Sequence, residues 1–244
     1  DVTVCIRDEC GNETCCVVKV TFKDETPPVI DPCPPDRTLP VDENCEGHVP
    51  DLCPEALAAA TDNCTPQDEL TCTQDPLAGT VVGPLVDCQP ITVDVTVCVR
   101  DKCDNETCCV VHVTFEDQTP PDFPGDADKD DVIDEVVSKY VPPANEDCCV
   151  AVDPDDFKPE AGDNCDPAPA VEFCGRSDGK GYDEPVCLSD SPVTFCWKAT
   201  DCAGLEREVS QIVEVMGIKL IVDIQLQPAV SAASFTRCIH FGLF

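Results

Sequence analysis

Apolar and polar residues alternate with period two over two adjacent stretches of the chain. Val95, Val97 and Val99 alternate with Thr96, Cys98 and Arg100. Cys109, Val111, Val113 and Phe115 alternate with Cys108, Val110, His112 and Thr114. This period predicts two half-buried strands. Between them, Asp101-Lys102-Cys103-Asp104-Asn105 is rich in turn formers, so the pair reads as a hairpin. If Phe115 sets the inward face, Cys109 faces inward and Cys108 outward, and the two serve different bridges.

The same hairpin occurs elsewhere in the chain. Residues 1–28 align with residues 94–121 at 22 of 28 identical positions, a period of 93 residues. A weaker third copy spans 192–215, with Val193, Phe195 and Trp197 inward. Both early copies end in D-x-T-P-P, and paired prolines read as stiff joints that cannot continue a sheet. A period of this length suits tandem β-sandwiches. The expected class is therefore all-β, a disulfide-rich tandem of β-sandwiches with incomplete domains at both ends. The expected divisions are a closing half-repeat over 1–23, complete domains over 24–117 and 118–217, and the opening strands of a further domain over 218–244.

Composition narrows the setting. The 244 residues include 22 cysteines, too dense for ordinary packing, and their spacings lack paired C-x-x-C knuckles. Disulfides, and hence an extracellular or secreted location, are expected rather than zinc. The formal net charge of −34 repels nucleic acid and anionic membranes. No run of about 18 apolar residues is present to span a bilayer. Enzymatic motifs are absent, and the three histidines, His48, His112 and His240, occupy dissimilar places. The expectation is a protein that is not an enzyme.

Both complete domains share a middle signal: Cys45, Pro50 and Asp62-Asn63-Cys64 in one, and Cys148, Pro154 and Asp163-Asn164-Cys165 in the other. Together with Thr26-Pro27-Pro28-Val29-Ile30, Cys33-Pro34 and the stretch from Asp101 to Val113, this pattern resembles the hyalin repeat (HYR) family. The resemblance implies extracellular immunoglobulin-like sandwiches in tandem, associated with adhesion. Asp104, where that pattern has glycine, and the extra cysteines depart from it.

Internal comparison suggests disulfide partners. Cys33 and Cys109 are both lost from the next domain, which suggests that they pair. Cys45 with Cys64, Cys148 or Cys149 with Cys165, and Cys98 with Cys108 are the other expected bridges. Cys16 and Cys238 are left over and are candidates for bonds between molecules.

Acidic residues offer hard oxygen ligands for calcium. The run Asp126, Asp128, Asp130 has the spacing of an ion-binding loop, but Asp131 stands where an EF-hand has glycine and Val137 where it has its closing glutamate. A looser calcium site and a solvated acidic loop remain alternatives there. The joint residues Asp24, Glu25 and Asp117 could combine with Asp62, Asp101 or Asp163, against a reading of simple Asx turns. Asn12, Asn63 and Asn105 head N-glycosylation sequons.

The expected function is that of a structural subunit of an extracellular fibre or surface array. Incomplete terminal domains would join head-to-tail by strand complementation and disulfides, making the chain its own partner. The alternatives are an adhesion or stalk fragment of a larger cell-surface protein, engaging surface glycans or adhesion partners, and an accessory binding module of a secreted enzyme.

Overall fold

A computed structural model describes residues 1–140 and 148–216. The structure is all-β and disulfide-rich, and the chain forms two compact units. The first comprises residues 1–39, 48–82 and 92–115. The second comprises 40–47, 83–91 and the described residues from 116 onward.

In the first unit, strands β1 (Val2–Arg7) and β2 (Glu13–Val18) form an antiparallel pair. Strand β3 (Arg37–Pro40) precedes a short helix α1 (Cys53–Ala59), and β4 (Thr71–Asp75), β5 (Ile91–Arg100) and β6 (Glu106–Glu116) follow. One sheet takes the order β3-β6-β5-β4. Val95, Val97, Val99, Val111, Val113 and Phe115 are fully buried on its inner face. Helix α1 was not expected from the alternation. Pro54 starts its first turn, Ala56 buries one face, and a bond from Cys53 to Cys72 ties it to β4. Gln74 on β4 secures its entry: Leu52 N donates to Gln74 Oε1 (2.8 Å), and Gln74 Nε2 donates to Pro50 O (2.9 Å).

The second unit repeats this strand order with β7 (Val132–Tyr140), β8 (Ala170–Arg176), β9 (Val193–Thr200) and β10 (Glu206–Met216), arranged β7-β10-β9-β8. β7 runs parallel to β10, and the other neighbours are antiparallel. Val193, Phe195, Trp197 and Ala199 point into a core with Phe123, Val150, Val209 and Val213. Phe157 and Phe173 meet the Trp197 ring edge to face at 6.2 and 5.9 Å.

The hairpin turn recurs with one backbone geometry. Gly11, Asp104 and Gly204 hold the same position at φ 89°, 67° and 83°. Aspartate tolerates this left-handed region better than most residues, so Asp104 substitutes for glycine without altering the turn. The hairpin β1–β2 contrasts with β5–β6: Val2, Val4, Ile6 and Val18 are all exposed, whereas the matching β5–β6 residues Val95, Val97, Val99 and Val111 are buried.

Candidate functional site

Each unit carries a convergence of three carboxylates, built by the same three loops. In the first unit these are Asp24 at the joint, Asp62 in the D-N-C loop and Asp101 at the hairpin turn. In the second they are Asp117, Asp163 and Asp201. Within each set, one carboxylate oxygen per residue lies within 4.8 Å of the other two.

Local turns explain how the carboxylates come to point inward. Asp24 Oδ1 accepts from Thr26 N (3.1 Å), and Asp62 Oδ1 from Cys64 N (2.9 Å) and Thr65 N (2.6 Å). Asp101 Oδ1 accepts from Cys103 N and Asn105 N, both at 2.8 Å. The second unit reproduces this pattern: Thr119 N to Asp117 (3.0 Å), Cys165 N to Asp163 (2.8 Å) and Leu205 N to Asp201 (2.8 Å). The Asx turns are therefore real, but they use only one oxygen of each residue. The other oxygens of Asp24, Asp62, Asp163 and Asp201 are buried with no hydrogen-bond partner. Asp201 is itself only 7% exposed.

Three like charges in so small a space are costly without a cation. Burial pushes the Asp117 carboxyl up, and the charges of Asp163, Asp201 and Asp166 push it further, against the Thr119 amide. Asp101 moves the other way. Burial works upward on it, but hydrogen bonds from the Asn105 side chain and amide outweigh that and hold it below the ordinary range. An all-oxygen donor set in which four of the six carboxylates keep one unpartnered buried oxygen fits a hard divalent cation, calcium above all.

The Asp126-Asp128-Asp130 run is arranged differently from the expected ion loop. Asp126 is buried and its Oδ2 pairs with Arg207 Nη2 at 2.6 Å, and Arg207 also contacts Asp122 and Asp131. The other oxygen of Asp126, Oδ1, accepts from Asp130 N at 3.0 Å. Asp128 and Asp130 remain exposed, and the charge of Asp130 raises the Asp128 carboxyl.

Eight disulfides form among the described residues. Cys33 is bonded to Cys109, and Cys98 to Cys108. The middle-loop expectation needs correction. Cys45 bonds Cys165 rather than Cys64, because segment 40–47 packs into the unit that holds Cys165. Cys149 bonds Cys187, its direct partner across a two-residue strand pair, and Cys148 is also disulfide-bonded. Cys88–Cys202, Cys174–Cys196, Cys53–Cys72 and Cys5–Cys15 were not anticipated. Only Cys174–Cys196 and Cys5–Cys15 had a signal to find, since each joins neighbouring strands of one sheet. Cys10, Cys16, Cys64 and Cys103 are exposed free thiols. Cys238 and His240 lie outside the described residues.

Of the sequon asparagines, Asn12 and Asn63 are exposed. Asn105 is half-buried, and its amide nitrogen already donates to Asp101 Oδ2 (2.7 Å) and Asp24 O (3.3 Å), so it braces the first carboxylate set. His112 faces outward against Asp94 at 2.7 Å.

No family model matches the chain, and no curated protein matches it. Solved structures similar to it include immunoglobulin domains 1–4 of Sidekick-1, at 12% identity and TM-score 0.35, covering 88% of this chain and 57% of that one. Sidekick-1 domains 1–5 are similar at 12% identity and TM-score 0.34, with 87% and 45% covered. Protocadherin Gamma C5 EC1-3 follows at 13% identity and TM-score 0.31, with 88% and 78% covered. The chain thus spans about half the length of the first structures it matches. Among the described residues, no helix is long and apolar enough to cross a membrane.

Proposed function

We propose that this chain is a stretch of an extracellular structural or adhesion protein built from tandem hyalin-like repeats. The repeats occupy 24–117 and 118–217, with 1–23 a closing hairpin; the opening strands expected over 218–244 lie outside the described residues. A calcium ion at each carboxylate set fixes the loop ends of its repeat. One observation carries the reading: both units direct the same three aspartates at one point and leave buried oxygens there without partners. The disulfides suit an oxidising compartment. Three loops that repel one another when empty become a clasp when a divalent cation joins them.

Calorimetric titration of the chelator-treated chain should show two calcium ions bound per chain. Melting temperature should rise by several degrees in calcium and far less in magnesium, whose octahedral demands this set meets poorly. An unchanged melting curve on adding EGTA would remove the calcium reading.

A second reading, fibre growth by strand complementation, is favoured by the exposed hairpin β1–β2. Val2, Val4, Ile6 and Val18 match positions that are buried in β5–β6, so its complement is the opening half of another copy of the repeat. Electron microscopy under non-reducing conditions should then show filaments, whereas monodisperse short rods would leave the adhesion or stalk role.

A further inference from the structure

Two disulfides in the second unit fasten the segments 40–47 and 83–91: Cys45–Cys165 and Cys88–Cys202. Both receiving cysteines flank the carboxylate set. Cys165 closes the Asp163-Asn164-Cys165 loop, and Cys202 follows Asp201 in the hairpin turn. The fastened segments also cover that set. Asn164 Nδ2 donates to Asp42 O at 2.9 Å, and Cys88 Sγ lies 3.8 Å from Asp117 Oδ2.

The first unit contains the same receiving half. Cys64 closes Asp62-Asn63-Cys64 with the same Asx turn, and Cys103 lies in the equivalent hairpin turn, one residue later than Cys202. The two loops touch, since Lys102 N donates to Thr65 Oγ1 at 3.4 Å. Here, however, both sulfurs are exposed free thiols, and Asn63, the counterpart of Asn164, is exposed as well. The donating half is also a repeated feature. Cys45 and Cys148 share a left-handed backbone (φ 60° and 54°), and their carbonyls accept from Leu85 N and Leu188 N at 3.1 and 3.0 Å.

We propose that Cys64 and Cys103 are the receiving half of a two-disulfide clamp, and that its occupant is a segment pair of the 40–47 and 83–91 kind from a second copy of this repeat. The proposal rests on the reading of the chain as part of a repeat array. Cys64 takes the cysteine equivalent to Cys45, and Cys103 the one equivalent to Cys88. Each bond forms by thiol–disulfide exchange. A glutathione disulfide first caps the incoming cysteine and releases one glutathione thiol. The thiolate of Cys64 or Cys103 then attacks the capped sulfur and expels the second glutathione. Two cysteine thiols are oxidised, and one glutathione disulfide is reduced to two thiols.

The test uses the full chain carrying C165S and C202S, which frees Cys45 and Cys88 while leaving Cys64 and Cys103 in place. In a glutathione redox buffer this chain should give a ladder of multimers on a non-reducing gel. Peptide mass spectrometry should find Cys45–Cys64 and Cys88–Cys103 links, and adding C64S and C103S should abolish the ladder. Cys64 bonded to Cys103, Cys45 bonded to Cys88, or a ladder linked through Cys10 and Cys16 would each overturn the clamp. Against misfolding of that variant, the unaltered chain is offered peptides 40–48 and 83–91 as glutathione mixed disulfides. Cys64 should take the first and Cys103 the second several-fold faster than Cys10 or Cys16 takes either, and equal labelling of all four thiols refutes the pairing. Calcium titration of the same samples separates the two readings. Specific links without a calcium response keep the clamp and remove the calcium site, and a calcium response without links does the reverse.

Discussion

Asp117 shows how a single side chain can hold a fold back until a ligand arrives. Its carboxyl is raised by burial and by neighbouring charges, so the calcium-free folded state holds a proton there more tightly than the unfolded chain does. That contribution is fully present below the ordinary aspartate pKa and is lost as pH rises through the raised one. Asp117→Asn removes one repelling charge. It should raise the melting temperature of the calcium-free chain by about 2–4 °C at neutral pH, and cut the calcium-induced rise. A calcium-induced rise as large as in the parent chain would take Asp117 out of the site. Most of the carboxylate positions were legible, because D-N-C and D-x-T-P-P announce Asx turns at loop ends. Asp201 was not, since the third hairpin has diverged and its D-C-A-G-L turn resembles the others only in backbone. The commitment of Asp126 to Arg207 was also hidden, because the two lie 81 residues apart in the chain.

At the scale of elements, the alternation of valines predicted β5, β6, β9 and β10 because one face of each strand is buried and the other is not. Short features escaped for the opposite reason. Helix α1 has one buried residue in its seven, too few to set a period, and two-residue strands such as Cys149–Val150 and Val186–Cys187 are too short to show one. Arg176 at the end of β8 was equally silent. Its side chain is fully buried, forked onto Asp178 at 2.7 Å, donating to the carbonyls of Gly181 and Glu184, and lying 4.9 Å over the Phe195 ring. One cation thus orders the loop 177–184 from within. Arg176→Ala would leave Asp178 and two carbonyls without their donor. It should cost about 3–5 kcal/mol of unfolding free energy by urea denaturation. A loss under 1 kcal/mol would mean that water replaces the guanidinium.

For the molecule as a whole, the 93-residue repeat and the all-β class were legible from the sequence, whereas the far-reaching bridges were not. Equal cysteines in two repeats suggest bonds within each repeat, and that inference holds only while each loop packs with the residues that flank it. Cys45–Cys165 and Cys88–Cys202 break the rule, spanning 120 and 114 positions. They have a mechanical consequence. From residue 24 to residue 216 the backbone runs about 190 residues, or roughly 650 Å when drawn straight. A load passed along covalent bonds takes a shorter route, crossing Cys33–Cys109, Cys108–Cys98 and then Cys88–Cys202. That route uses only about 34 residues, or about 115 Å. Under tension the chain would go taut at about a fifth of its contour length, with most of both carboxylate-bearing units inside loops that carry no force.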